Sequence, residues 1–585
     1  MGGIMITKIA DNIISPFGFT SEDNLKSIIA GESGICHHEG ALGLPEAFCG
    51  SLIDRKMISK MFASHSIGGE DLTLFEKLCI LSATEAISEC SLQAENDDVI
   101  FVLSTTKGNV DMLEEDIDDP RCYLAESAKK IAEYFGNRNT PIVASNACIS
   151  GVCAQIAAVR ALLSGKYRYA VVIGCDLLSR FIISGFQSFK ALSPEPCKPF
   201  DKDRIGLNLG EAAGTIILER EKVEGKRGKG DYWEFIGCSN HNDANHISGP
   251  SRTGEGSYRV LSDILEVVDK DDLAFVNLHG TATAYNDEME SIALHRAGLS
   301  DTPANGLKGF YGHTLGAAGI IETILSMHAL ENGIILPTKN FSAKGTTYDV
   351  AVNPQIRHTD KNTFIKILSG FGGSNAGIAY RKHTAGQPEA KDKSKIQSDA
   401  EHRNRHNAFE TVAEVRITPE ATNLNGEKIS DASITGLYRQ FAGDYPKFFK
   451  MDSLCKLGFM GAELLLKNIP AQERENASVI LFNRNGSLIT DRNYQKTIAD
   501  DNYFPSPALF VYTLANIVTG EIAIRNKTYG ETSFYLLDRY DPQKIEEIVT
   551  SVAPSSPLVL TGWVDYNSDS DYLAELKLLK MKQVE

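Results

Sequence analysis

The stretch Pro141-Ile142-Val143-Ala144-Ser145-Asn146-Ala147-Cys148-Ile149-Ser150-Gly151-Val152 decides how this chain is read. Residues 141–144 form a short apolar run of the kind that makes a buried strand. A helical pattern of small apolar residues follows at Ala154, Ala157, Ala158, Ala161 and Leu162. The order is therefore strand, sharp turn, buried helix, with a thiol at the turn. A helix start carries unpaired N–H groups and partial positive charge. A thiol held there ionises more readily, and thiolate is the attacking species in covalent catalysis. Cys148 is expected to be a nucleophile activated mainly by that helix terminus.

Two histidines in small-residue surroundings lie far downstream. His279 sits in His279-Gly280-Thr281-Ala282-Thr283, and His313 in Tyr311-Gly312-His313-Thr314-Leu315-Gly316-Ala317-Ala318-Gly319. One such cysteine with two such histidines points to acyl or carbon transfer through a thioester. Cys79, Cys90 and Cys153 have the setting of small core residues. His295 and His328 have that of ordinary helix residues.

The bulk properties set the frame. A chain of 585 residues is long enough for two or more domains. With 42% hydrophobic and 23% charged residues it falls in the soluble globular class. A formal charge of −17 disfavours nucleic acid or an anionic membrane as the main partner. An acidic carrier protein stays compatible if one face is basic, and Arg55-Lys56 with Lys60 is the candidate patch. The 11 cysteines form no C-x-x-C pair, so neither a disulfide framework nor a metal site is expected. Met1-Gly2-Gly3-Ile4-Met5 has no basic region leading into an apolar core, and no apolar stretch is long enough to span a bilayer. A cytoplasmic, reduced protein is expected.

Three segments follow from composition. Residues 1–383 alternate apolar strands (99–103, 170–174, 215–218, 275–278, 364–368) with helical patterns (74–87, 316–331), which argues an α/β architecture with helix-covered sheets. Residues 384–407 are charged and poor in apolar residues, the composition of a flexible linker. Residues 408–585 echo the first half. The helix opening Leu454-Cys455-Lys456-Leu457-Gly458-Phe459 mirrors Leu74-Phe75-Glu76-Lys77-Leu78-Cys79, and a strand follows each. A proline-led run, 505–513, and a helix, 517–524, then stand for the strand and helix around Cys148. On this alignment Leu514 and Ala515 occupy the place of the nucleophile.

Five separated motifs carry a family resemblance. They are Ala147-Cys148 with Ser150-Gly151; Phe189-Lys190-Ala191-Leu192-Ser193 running into Lys198-Pro199-Phe200-Asp201-Lys202-Asp203-Arg204 and Leu209-Gly210-Glu211-Ala212-Ala213-Gly214; His279-Gly280-Thr281-Ala282-Thr283 with Asn286, Asp287 and Glu290; Lys308 and His313 with Gly316-Ala317-Ala318-Gly319 and Glu322; and Gly370-Phe371-Gly372-Gly373-Ser374-Asn375. In this order, residues 1 to about 382 resemble the elongating β-ketoacyl-[acyl-carrier-protein] synthases.

The resemblance implies a thiolase-like αβαβα fold of two similar halves, to which residues 408–585 would add a third, degenerate half. It implies decarboxylative Claisen condensation, with Cys148 accepting the acyl group and His279 and His313 stabilising the enolate. It implies a second oxyanion hole from the backbone N–H groups of Cys148 and Phe371, and a gate at Phe371. Thr281 and Thr283 would bind the pantetheine arm, and Lys308 and Glu322 would form a charged pair ordering the histidine region. The partner would be an acyl carrier protein bringing its own phosphopantetheine, with no further cofactor and no metal, and the enzyme would be a homodimer.

Asp201, Asp203 and Arg204 are expected to brace a loop. Ser369 stands where many elongating synthases carry a bulky aromatic, and the strand 6–14 lacks the usual glycine-rich start. These departures leave the chain length and pathway open, between ordinary fatty acids and a specialised polyene or polyketide product. Two alternatives stay in view: a thiolase acting without decarboxylation, and a non-catalytic partner of the chain-length-factor kind. Thiolases use a second cysteine late in the chain, and residues 368–376 have none. Chain-length factors lose the nucleophile, which is present here. For residues 408–585 the partner idea is the favoured one, as a surface for docking a partner enzyme.

Overall fold

The computed structural model describes residues 4–65, 71–222, 230–384, 409–500, 502–552 and 556–582. The linker expected at 384–407 lies outside them apart from Thr384.

The chain builds the same five-stranded sheet core three times. The first contains β1 (Ile4–Ile14), β2 (Val99–Ser104), β3 (Ile142–Ala144), β4 (Tyr169–Asp176) and β5 (Ala212–Lys222) in the order β3-β2-β4-β5-β1. β2 is parallel to β3 and β4, while β5 is antiparallel to β4 and β1. The second uses β6 (Tyr232–Asn242), β7 (Leu273–Asn277), β8 (Pro303–Asn305), β9 (Thr363–Gly370) and β10 (Ser374–His383). Its order, β8-β7-β9-β10-β6, has the same orientations. The third repeats both, as β13-β12-β14-β15-β11, with β11 (Phe409–Ile417), β12 (Ser478–Asn483), β13 (Thr532–Leu536), β14 (Leu558–Ser568) and β15 (Asp571–Met581).

Helices fill the layers between and around the first two sheets. α1 (Leu74–Cys90), opened by a capping box between Thr73 and Glu76, covers the outer face of the first sheet. α2 (Leu124–Tyr134) leads into β3, and α3 (Ser150–Leu163) leaves it. α3 and α6 (Ala318–Glu331) pack together between the sheets. α4 (Glu255–Leu265) covers the second sheet from outside and packs on α5 (Ala284–Arg296). The result is the expected layered αβαβα arrangement. Both central helices are apolar nearly all round, as a helix between two sheets must be.

The third sheet has its own helices, α7 (Ser453–Leu466), α8 (Ile517–Asn526) and α9 (Pro542–Val552). By position between strands, α7 answers to α1, α8 to α2 and α9 to α3. This corrects the alignment read from sequence. Residues 507–512 are a short helix, not a strand, and α8 precedes the third strand of its sheet. The turn equivalent to that of Cys148 follows β13, at Leu537-Asp538-Arg539, and holds no cysteine. Leu514 and Ala515 lie well before it.

Burial separates the third copy from the first. β5 is buried over its first eight residues, from Ala212 to Glu219. β15 alternates buried Tyr572, Ala574, Leu576 and Leu578 with Asp571, Lys577 and other polar or partly exposed positions. That alternation is the pattern of a sheet with one wet face. Among the described residues the third copy therefore has no facing second sheet, and Asp571, Glu575 and Lys577 stand on the side where one would pack. It joins the rest of the chain edge to edge instead. β13 pairs antiparallel with β3, Tyr535 opposite Ala144 and Leu536 opposite Val143, so the first and third sheets form one continuous surface.

Candidate active site

The turn between β3 and α3 is built to hold a side chain up. Ala147 adopts a left-handed φ of 49°, a conformation disfavoured for any residue with a Cβ. A 3-10 turn, Ala147–Ile149, then feeds into α3. Ser150 Oγ accepts from Asn146 N at 2.8 Å and donates to the Ala147 carbonyl at 2.6 Å, bracing the turn internally.

His279 lies just beyond the end of β7. Its backbone N–H and that of Gly280 donate to the buried Glu290 carboxylate of α5, at 2.6 and 2.8 Å. His313 lies in the loop that leads into α6. That loop is tied back to the first half by Asp176 at the end of β4. Asp176 accepts from Gly316 N at 2.7 Å and from Thr105 Oγ1 and Thr106 Oγ1 at 2.7 and 2.9 Å.

These three loops converge. One ligand-capable atom each of Cys148, His279 and His313 lies within 4.8 Å of the others. The imidazoles meet edge to face, ring centroids 5.1 Å apart. Leu315 N donates to His313 Nδ1 at 3.3 Å, which places the ring proton on Nε2. His313 Nε2 and His279 Nδ1 are buried without a partner among the described residues. Such groups point to a ligand that supplies the missing bond.

Electrostatics keep both imidazoles neutral. Burial pushes each well below the ordinary histidine range, and the Lys308 and Lys366 cations push the same way. Both lysines are held by one carboxylate. Glu322 Oε1 accepts from Lys308 Nζ at 2.8 Å, and its second oxygen is bonded to Lys366 Nζ. All three side chains are fully buried. Burial raises the Glu322 carboxyl, but the two lysines outweigh it and hold it below the usual range. Burial lowers Lys366 to about 8.

The nucleophile departs from expectation. Burial pushes the Cys148 thiol up to about 12; Lys308 and the backbone N–H groups of Cys148 and Phe371 oppose the rise without cancelling it. Desolvation exceeds the pull of the helix start, so the resting group is a neutral thiol. This set is also the group of metal-capable side chains found among the described residues. A metal would need the thiol deprotonated, which burial here resists.

The remaining expected residues fall around this centre. Phe371 follows β9 beside Cys148, and its ring packs against Phe186 and Phe189 with centroids 6.4 and 5.8 Å away. Thr281 and Thr283 share a hydrogen bond of 2.9 Å in the turn after His279. Asp201 accepts from the backbone N–H of Asp203, Ser342 and Ala343, which is loop bracing. The basic patch does not hold as read, because the Arg55 guanidinium is bound to the buried Glu211 carboxylate. His328 is no ordinary helix residue either, since it lies between Asp11 and Glu331 at 2.9 and 3.0 Å.

Sequence reading missed Lys366 and Asp176. A lysine inside the run Phe364-Ile365-Lys366-Ile367-Leu368 was a signal, since buried strands exclude unpaired charge. Asp176 gave none beyond its place at the end of a strand. The third copy also reaches the site. Asn146, two residues before the nucleophile, exchanges hydrogen bonds with the Phe534 backbone, Nδ2 to O at 3.1 Å and Phe534 N to Oδ1 at 2.8 Å.

Paired α/β halves, a cysteine in the turn that opens the first central helix and two histidines from the second half together define a thiolase-fold condensing enzyme. Known proteins agree. The profile of the β-ketoacyl synthase N-terminal domain matches residues 123–224, and that of its C-terminal domain residues 232–342. The 3-oxoacyl-[acyl-carrier-protein] synthase 2 of Vibrio harveyi is 27% identical over 406 residues, covering 63% of this chain and 96% of its own. Nodulation protein E of Rhizobium leguminosarum bv. trifolii is 30% identical over 268 residues, covering 45% of this chain and 67% of its own. The chain belongs to the β-ketoacyl synthase family. The solved PfaC keto synthase–chain length factor has the same fold over 99% of this chain and 78% of that one, with a TM-score of 0.69 at 14% identity.

Proposed function

We propose that residues 1–383 transfer an acyl group to Cys148 and extend it by decarboxylative condensation with a malonyl thioester. The observation that carries this is the meeting of a thiol, two neutral imidazoles with unpartnered ring nitrogens, and backbone N–H groups of Cys148 and Phe371 at the sulfur.

In the first half-reaction Cys148 Sγ attacks the acyl thioester carbonyl. The oxyanion is met by the backbone N–H groups of Cys148 and Phe371. The pantetheine thiolate leaves, and the proton lost by Cys148 balances the one it takes up. In the second, malonyl thioester loses CO2, and negative charge gathers on the thioester oxygen. Neutral imidazoles suit this step because each can present an N–H to that oxygen. The enolate carbon attacks the acyl carbonyl on Cys148, the new C–C bond forms, and Cys148 leaves and is reprotonated. Thr281 and Thr283 would bind the pantetheine arm. Lys308 and Glu322, with Lys366, would order the histidine region.

The substrates would arrive on an acyl carrier protein, and no further cofactor is needed. We place the enzyme in the cytoplasm; none of the helices among the described residues is long and apolar enough to cross a membrane. Residues 408–585 we read as a degenerate half-synthase with 384–407 as its linker. A homodimer would have to assemble elsewhere than the β3 edge, which this chain covers itself. The extra C-terminal copy favours a specialised product over ordinary fatty acids.

The test is mass measurement of the protein after exposure to acyl-loaded and malonyl-loaded carrier. An acyl adduct on Cys148, absent in Cys148→Ala, is expected. CO2 release from the malonyl carrier should survive in Cys148→Ala and fall about 100- to 1,000-fold in His313→Ala. An adduct elsewhere, or none with any carrier, overturns the assignment.

A further inference from the structure

The loop at Phe371 is gripped from outside the synthase halves. Asn516 is fully buried at the start of α8 in the third copy. It occupies the N-cap position, yet its side chain makes no capping bond. Asparagine there ordinarily accepts from the first-turn N–H groups. Instead Asn516 Nδ2 donates to the Phe371 carbonyl at 2.8 Å.

Its Oδ1 is buried with no partner among the described residues, which makes this placement costly on its own. The hydrogen bond that this side chain makes among the described residues is therefore the one to the Phe371 carbonyl.

One turn along α8, Gly520 completes the grip. A Cβ added at Gly520 would stand 2.5 Å from the Gly372 carbonyl and 2.8 Å from its Cα. The helix therefore lies against the backbone that follows Phe371, with no room for a methyl group. Gly372, at φ 89°, is held by Asn242 as well, whose Nδ2 donates to its carbonyl at 2.8 Å. That same Nδ2 reaches Thr532 Oγ1 of the third copy at 3.1 Å.

From this geometry we infer that Asn516, supplied by the degenerate third copy, is a positioning residue that sets the Phe371 loop beside Cys148. It acts through the Phe371 peptide, whose N–H faces the Cys148 sulfur. Fixing the carbonyl of one residue fixes the plane of the following peptide and limits the swing of the preceding one. Asn516 thus governs both access to the thiol and the aim of one oxyanion donor. The inference rests on the proposed function only for the acyl-transfer readout below.

The test uses the full chain with Asn516→Leu, which keeps size and removes the donor, and Asn516→Asp, which keeps shape and places an acceptor opposite the carbonyl. Two readouts are taken. One is the rate of Cys148 alkylation by iodoacetamide, followed by peptide mass, which needs no enzymatic activity. The other is the rate of acyl transfer from acyl carrier to Cys148, beside CO2 release from malonyl carrier.

Loss of one such bond should change the Cys148 alkylation rate about three- to tenfold. Acyl transfer should fall by at least as much, while CO2 release stays within about twofold of the parent. Alkylation within twofold of the parent in both variants overturns the inference. So does an equal fall of acyl transfer and CO2 release, which a general loosening would give. Should the parent itself take no acyl group, the alkylation result still decides the matter, and the failure belongs to the proposed function. Should Asn516→Leu not fold, Asn516→Asp carries the test alone.

Discussion

Glu322 faces two lysine ammonium groups where no water reaches any of them. Removing one partner from a buried ion set leaves an uncompensated charge, so Glu322→Gln should cost about 3–5 kcal/mol in denaturant unfolding. It should also slow CO2 release, because the lysines that keep the histidines neutral would lose their anchor.

A second residue gives a pH signature. Burial pulls His328 down, but Asp11 and Glu331 outweigh it and raise it from 6.5 to about 9. A group whose folded pKa is raised stabilises fully below its unfolded pKa and loses that contribution as pH climbs through the folded one. Unfolding free energy should therefore fall between pH 6.5 and 9, by about 3 kcal/mol in all. His328→Gln should flatten that slope. At this scale Cys148, His279 and His313 were legible because small residues crowd each of them. The raised thiol was not, because desolvation depends on neighbours far apart in the chain.

Between elements, the decisive contact is the crossing of α3 and α6. A Cβ on Gly319 would lie 2.5 Å from Val152 N, and one on Gly151 would lie 2.9 Å from the Gly316 carbonyl. These helices begin beside the nucleophile and beside the His313 loop, so their separation sets the site. Gly319→Ala should force them apart, cost about 1–3 kcal/mol by overpacking and reduce CO2 release at least tenfold. Thermal unfolding and a CO2 assay check the two effects.

The strands of the first two sheets were readable from their apolar runs. The third sheet was harder. Leu509-Phe510-Val511-Tyr512 looks like a strand, but Pro507 at the helix start and the Ser506 cap turn it into a short helix. The true third strand, Thr532-Ser533-Phe534-Tyr535-Leu536, opens on two hydroxyl residues whose burial is met by partners elsewhere in the chain, Asn240 and Asn242 among them.

For the whole molecule, the third copy is joined by more than a strand pair. Arg160 of α3 makes a two-pronged bond to Glu531, at 2.9 and 2.8 Å. Lys107, buried, reaches Asp491 at 2.6 Å. Glu531→Ala should leave the Arg160 guanidinium buried and alone, costing about 3–5 kcal/mol and lowering the midpoint of the transition that reports both regions. Separate transitions for the synthase halves and the third copy would contradict that coupling. The duplication could be suspected from sequence, but where it docks could not, because pairing of two strand edges leaves no mark in either strand.

The clamp between Asn146 and Phe534 has a consequence in time. The ribosome releases the nucleophile's loop long before residue 534 exists. A nascent chain would carry Cys148 on a turn held only by its internal Ser150 brace until residue 534 has emerged, so the finished geometry of that turn has to wait for the third strand of the third copy.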